Sequence, residues 1–262
     1  MNQTSFRQKV RITATLIFET AFHIGSGKEG DLATDMGVLK DNQGLPVLPG
    51  STLKGCFRAT AEKLAGYLGF SACMLDSELS GEKCVGDQGY FRKVNDEFKE
   101  IKTEKGKIVW LRDHTCDVCR LFGSPLQASR IFFSDGTLKK WVGGYQVRDG
   151  VAIDRDSGTA RDGLKYDFEV AHHDTEFEVV IEMENPERTE LALVAAVLAE
   201  WQSGFRLGGF TSRGLGRVVM TDAKVEQVDY EDSNQLREYL LKRRMQPADN
   251  LLDNALLQAL SQ

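Results

Sequence analysis

The chain has no long apolar run. Nowhere in its 262 residues are there the roughly 18–20 consecutive apolar side chains that cross a bilayer, so no membrane span is expected. The polar opening from Met1 to Arg11 lacks the apolar stretch of a secretory signal and runs straight into an alternating pattern. A cytoplasmic protein is the expectation. An excess of basic charge is missing as well. The formal net charge is −6 and the pI about 5.4, which argues against the basic surface common in nucleic-acid binders. A local basic groove stays compatible with that balance, and basic residues do gather at Lys54 and Arg58, Arg112 and Arg120, Arg206 to Arg217, and Lys242 to Arg244. Two catalytic classes lack their signatures. His23-Ile24-Gly25-Ser26-Gly27-Lys28-Glu29-Gly30 is glycine-rich, but no GK[ST] follows, so an NTPase is excluded. Ser, His and Cys supply no nucleophilic triad.

What is present is material for a real core. Hydrophobic residues make up 41% and charged residues 27% of the chain, enough for one large domain with insertions or two small ones. Val10, Ile12, Leu16 and Phe18 alternate on one face of a first strand. Pro49-Gly50-Ser51 announces a helix with Ser51 as its N-cap, and Leu53, Cys56, Phe57, Leu64, Tyr67 and Leu68 follow at helical spacing. Residues 70–128 show little periodicity and read as an insertion. Ile131-Phe132-Phe133 is a short buried strand, and residues 145–173 are polar and glycine-punctuated, which suits a protruding hairpin. Phe177, Val179, Ile181 and Met183 alternate as a strand. Asn185-Pro186 ends it, and Leu191, Val194, Val197, Leu198 and Trp201 form the stripe of a second helix. A strand within Gly214–Tyr230 and helix over residues 233–260 complete the order. The sum predicts an α+β fold with a ferredoxin-like, RRM-like core: helices on one face of an antiparallel sheet, the other face and the loops free for single-stranded RNA.

Of five cysteines, Cys56 falls on the apolar face of the first helix and reads as core. Cys116-x-x-Cys119 has the spacing of half a zinc site, and Cys73 and Cys84 from the same insertion can complete a structural Zn²⁺ site. The alternative for a bare CxxC is two buried thiols or a redox pair. Lys54 and Arg58, four apart, share a helix face near a helix start whose amides suit phosphate; a plain solvated basic face is the alternative. The segment from Arg206 to Arg217 interleaves four glycines with three arginines, a composition that brings backbone amides and guanidinium groups to phosphate or simply makes a sharp turn. Asp31, Asp35 and Asp41 lie in the first loop, where aspartates are by default turn formers.

Four segments, in chain order, carry a resemblance. Residues 45–58 (LPVLPGSTLKGCFR), residues 116–125 (CDVCRLFGSP), residues 150–155 (GVAIDR) with Gly158-Thr159-Ala160, and residues 206–217 (RLGGFTSRGLGR) resemble motifs of the RAMP superfamily, in particular the Cas seven-like backbone subunits of type III CRISPR effector complexes. The resemblance implies a single domain over residues 1–262 that binds a CRISPR guide RNA, meets complementary target RNA, and assembles with other effector subunits and copies of itself. It implies an endoribonuclease that cuts the target at regular intervals by attack of the neighbouring 2′-hydroxyl, aided by Mg²⁺ or another divalent ion. Asp35 fits the cleaving position, with Asp31 in reserve. RNA contacts fall on His23, Ser51, Lys54, Arg58 and Arg213. Residues 145–173 become a thumb in which Val151 and Ile153 wedge between bases while Arg148, Arg155 and Arg161 hold phosphates. His114 can replace one cysteine, since zinc sites of the family mix the two. Two alternatives stay open: a non-catalytic backbone subunit, and a guide-processing endoribonuclease of the same superfamily, which leaves the cysteines and the thumb unexplained.

Overall fold

The computed structural model describes residues 5–25, 27 and 35–261. Its centre is an antiparallel sheet. Strand β1 (Gln8–Phe18) pairs on one side with β6 (Thr175–Glu184) and on the other with β8 (Arg217–Asp229). Beyond β6 lie β2 (Ile131–Phe133) and β3 (Thr137–Lys140); beyond β8 lie β7 (Phe205–Arg206) and β9 (Gln246–Pro247). Period-two alternation decides the faces. Val10, Ile12, Ala14, Leu16 and Phe18 of β1 and Phe177, Val179, Ile181 and Met183 of β6 are all buried. Each large aliphatic or aromatic side chain hidden there contributes about 1.5–3 kcal/mol.

Helices α1 (Gly50–Ala65), α6 (Arg188–Ser203) and α8 (Leu251–Leu260) belong to the same core, to which α1 gives Leu53, Phe57, Ala61 and Ala65. Phe57 packs edge-on against Trp201 of α6 at 5.0 Å. The expected α+β class, with antiparallel sheets and helices over one face, is what the chain forms. The polar face of the sheet differs from expectation. It carries Lys9, Arg11, Thr13, Thr15 and Ile17 against Glu184, Glu182, Val180, Glu178 and Glu176, so the three central strands put no aromatic ring there. Four of its cations are already paired, Lys9 and Arg11 with Glu182, Lys139 with Glu178, Lys140 with Glu176. Exposed Phe132 of β2 and Lys224 of β8 also lie on this face, but with most of its charge already paired it offers RNA little.

Local readings also shift. Ser51 is not the N-cap: Pro49 takes that position without a side-chain cap, and Ser51 is exposed on the first turn. The open amide of Gly50 donates instead to Asp135 Oδ1 at 2.7 Å. The residue must be glycine, because a Cβ would lie 2.4 Å from the Phe133 carbonyl oxygen. Tyr67 leaves the apolar stripe and is 88% exposed. Residues 70–128 hold short helices, α2 (Ser77–Ser80), α3 (Gln88–Glu100), α4 (Glu104–Asp113) and α5 (Asp117–Phe122). The C-terminal stretch read as one helix divides into α7 (Ser233–Lys242), β9 and α8, with Arg243 in the left-handed region at the break. Residues 145–173 form a hairpin as expected. Strands β4 (Tyr145–Ile153) and β5 (Ala160–Ala171) make a separate two-stranded sheet. The turn is tied by Asp154, whose Oδ1 accepts the amides of Asp156 and Ser157.

Candidate RNA interface and metal centre

The base of β5 organises one end of the molecule. Phe168, Val170 and Leu215 form a second small core, packed by Ala21, Met36, Tyr166 and Phe210. Phe210 stacks on Phe168 at 4.2 Å and meets the His23 ring edge-on at 5.2 Å. The Arg213 guanidinium covers Phe210 at 5.4 Å and Tyr166 at 5.9 Å, and donates to the Tyr166 hydroxyl. His23, Arg213 and the glycine segment are therefore brought together.

His23 is buried, and its Nδ1 lies 2.7 Å from the Glu169 carbonyl oxygen. A carbonyl only accepts, so Nδ1 carries the hydrogen, and in the neutral ring Nε2 is the bare nitrogen. The Gly209 amide donates to the His23 carbonyl oxygen at 2.7 Å. At Gly208 (φ 95°) a Cβ would sit 2.4 Å from that same oxygen; the loop can lie this close only as glycine. The expectation that the loop's bare amides reach phosphate changes accordingly. The amides of Leu207, Gly209 and Gly216 are bonded to Gly216, His23 and Ala21 carbonyls. A cleft of about 360 Å³ remains between this loop and α1, lined by His23, Gly25, Thr52, Cys56, Arg206 and Gly209 among others. Cys56 is half-buried, packed against the main core and also lining the cleft, and burial pushes its thiol up to about 11.

Asp35 enters the same region along the same edge of β5. Its amide donates to Asp167 Oδ1 at 2.8 Å, and the Asp167 amide donates back to Asp35 Oδ2 at 2.9 Å. The next residues continue the seam. Glu169 N–H donates to the Met36 carbonyl, Val38 N–H donates to Glu169 Oε2, and Lys40 pairs with Glu169 Oε1 at 2.7 Å. Asp35 and His23 are anchored two residues apart on one strand, roughly 7 Å along it. Asp31 lies outside the described residues. Sequence reasoning missed Asp167, Glu169, Tyr166, Phe168 and Phe210. A buried glutamate next to alternating aromatics was the available signal, but its partners lie about 130 positions away in the chain.

Lys54 and Arg58 do not face the cleft; they lie on the side of α1 opposite Thr52 and Cys56. Lys54 Nζ donates to Ser129 Oγ at 2.9 Å, and burial, helped by the charge of Arg58, holds its pKa below the ordinary lysine value. Arg58 pairs with Glu62 and donates to Cys119 Sγ at 3.1 Å. In the hairpin, Arg155 is exposed at the turn, Ile153 is 65% and Val151 48% exposed, and Arg148 is half-buried beside Gln146.

Cys73, Cys84, Cys116 and Cys119 are buried with their sulfurs all within 4.8 Å of one another. Zn–S bonds of about 2.3 Å set sulfurs about 3.8 Å apart on a tetrahedron, and the Cys73–Cys119 separation is 3.6 Å. Amides of Gly86 and Cys116 donate to Cys84 Sγ and that of Cys119 to Cys116 Sγ. The Cys84 thiol is held below its ordinary value by hydrogen bonds from the other three thiols and from the Cys116 amide. Donated N–H groups and the Arg58 charge offset thiolate charge, so the donor set suits a soft or borderline metal ion. His114 is not part of it. It stacks on Trp110 at 3.9 Å and its Nδ1 donates to the Trp110 carbonyl.

The sequence model of the RAMP superfamily matches residues 15–219. The chain belongs to the RAMP superfamily. It is also similar to a Methanocaldococcus jannaschii protein named CRISPR system Cms endoribonuclease Csm3, 25% identical over 251 residues that cover 90% of this chain and 88% of the relative. The span assigned to the RAMP superfamily runs from within β1 to the first residues of β8. It takes in the cysteine cluster, the hairpin and the glycine loop, and leaves α7 and α8 outside. No described helix is long and apolar enough to cross a membrane.

Proposed function

We propose that this RAMP protein is a cytoplasmic, guide-RNA-binding backbone subunit of a type III CRISPR effector complex that cuts complementary target RNA, with Asp35 as the catalytic residue. Similarity to a Csm3 endoribonuclease supports the class. One observation carries the site: Asp35, His23, Arg213 and the hairpin all converge on the base of β5. An RNA strand lying across this end would meet guanidinium groups for phosphate, a ring cluster, and a fixed carboxylate. The sheet order β2-β6-β1-β8, with α1 and α6 as crossovers, supports reading the core as ferredoxin-like. Residues 70–128 are read as its zinc-binding insertion, with Cys73, Cys84, Cys116 and Cys119 as ligands of a structural Zn²⁺, and residues 145–173 as the thumb.

In this reading the Asp35 carboxylate is a hard oxygen donor of the kind Mg²⁺ takes, and a bound divalent ion would supply charge stabilisation at the scissile phosphate. Asp35 itself either holds that ion or takes up the 2′-hydroxyl proton. Arg213 and Arg206 hold backbone phosphate, and Val151 and Ile153 at the hairpin tip separate bases. The test is cleavage of complementary RNA by the guide-loaded complex with Mg²⁺. Wild type should give regularly spaced cuts and Asp35→Ala none, with guide binding and assembly intact. Retained cutting in Asp35→Ala refutes the assignment, and no cutting by either protein favours the non-catalytic backbone subunit.

A further inference from the structure

Asp35 is exposed, so burial does not hold its carboxylate in place. What holds it is Asp167. The contact runs both ways: the Asp167 carboxylate accepts the Asp35 amide at 2.8 Å, fixing the backbone, and the Asp167 amide donates to Asp35 Oδ2 at 2.9 Å, fixing the side chain. The pair thus pins Asp35 at its backbone nitrogen and at one carboxylate oxygen. The strand around Asp167 is itself secured. Phe168 is buried under Phe210, and Glu169 is buried while accepting from Val38 and pairing with Lys40. Asp167 is therefore set on a rigid element, whereas Asp35 borrows its rigidity from that element.

We propose that Asp167 is the positioning residue for Asp35, acting through this reciprocal pair rather than by touching RNA or an ion. The proposal rests on the reading of Asp35 as the catalytic residue. It adds a physical link that this reading does not contain. Asp167 belongs to β5, the strand that returns from the hairpin tip, and its register partner in β4 is Asp149, two residues before Val151. Whatever seats the hairpin on RNA thereby also seats the carboxylate clamp. Misplacement of a reacting group by about 1 Å costs on the order of 100-fold in rate, so loosening the clamp should register in the chemical step and not in RNA affinity.

The experiment compares wild type, Asp35→Ala, Asp167→Ala and Asp167→Asn in the assembled guide-RNA complex, measuring single-turnover cleavage at saturating target alongside target affinity. Asparagine keeps an oxygen that can accept the Asp35 amide; alanine keeps none. Asp167→Ala should cut roughly 10- to 100-fold more slowly with target affinity unchanged, while Asp167→Asn stays within a few-fold of wild type. Hydrogen exchange at the Asp35 amide should speed up in Asp167→Ala only. Asp167→Ala cutting at the wild-type rate overturns the inference, as does Asp167→Asn failing as badly as Asp167→Ala, which would make the charge itself the requirement. If Asp35→Ala still cuts, the underlying reading falls and this inference with it; if Asp35→Ala is dead and Asp167→Ala is active, the inference alone falls.

Discussion

At the scale of single residues, α1 separates two roles that spacing alone merges. Lys54 and Arg58 share a helix face, and a shared face near a helix start suggested shared work on phosphate. The neighbours divide them. Arg58 is taken up by Glu62 and the Cys119 sulfur, which makes it part of the cysteine cluster. Among the described residues Lys54 donates to the Ser129 hydroxyl, a contact that phosphate can replace. Arg58→Ala should therefore leave the cluster's thiolate charge uncompensated: zinc is lost to a chelator sooner and the melting temperature falls, with the salt dependence of RNA binding unchanged. Lys54→Ala should do the opposite, reducing the slope of log K against log salt by about one at constant melting temperature. Metal release followed with a colorimetric chelator, beside salt titrations of RNA binding, separates the two; equal effects of both variants on the salt slope would return Arg58 to the RNA.

Secondary elements differ in how openly the sequence announces them. β1 and β6 bury one clean face each, and their period of two is visible without any structure; α6 is visible by its apolar content, although it buries Glu190 through Ala195 all the way round. The helices of residues 70–128 announce themselves less openly. No residue of α3 is buried, and α4 buries only Trp110. What starts them is capping: Asp87 accepts the amides of Gly89 and Tyr90, and Thr103 accepts that of Gly106. Those caps were readable, and so was the half-buried stripe Phe91, Val94 and Phe98 of α3, which the reading of residues 70–128 as an unpatterned insertion passed over. The cysteine cluster was legible because four thiols in one insertion have a chemistry that needs no periodicity, whereas the Asp35–Asp167 pair joins residues 132 positions apart and leaves no spacing signal. The hairpin is the element whose exposed apolar tip its own fold does not explain. Val151→Ser with Ile153→Ser should change stability by no more than about 0.5 kcal/mol, yet blur the regular spacing of target cuts. A denaturation curve and a cleavage ladder on the same preparation check this; regular cuts from the double variant would take the wedging role away from these two residues.

For the whole molecule, the question is how a chain of net charge −6 would hold a polyanion. The answer lies in where its cations are free. On the polar face of the sheet, Lys9, Arg11, Lys139 and Lys140 are neutralised by Glu176, Glu178 and Glu182, and phosphate there would have to break ion pairs. At the β5 end, Arg206 lines the cleft and has no salt bridge among the described residues, and Arg213 rests on aromatic rings that leave its charge uncancelled. Counterion release scales with the cations that actually meet phosphate, not with net charge. Arg206→Ala with Arg213→Ala should therefore flatten the salt dependence of guide binding by about two units of slope, uniformly across guide sequences. Lys139→Ala with Lys140→Ala removes the same formal charge from the sheet face and should leave the slope where it was. Both double variants make the chain more acidic by an equal amount, so a long-range effect of net charge predicts equal losses. Only a local interface predicts the asymmetry, and a sheet-face variant that flattens the slope as much would move the RNA from the β5 end onto the sheet.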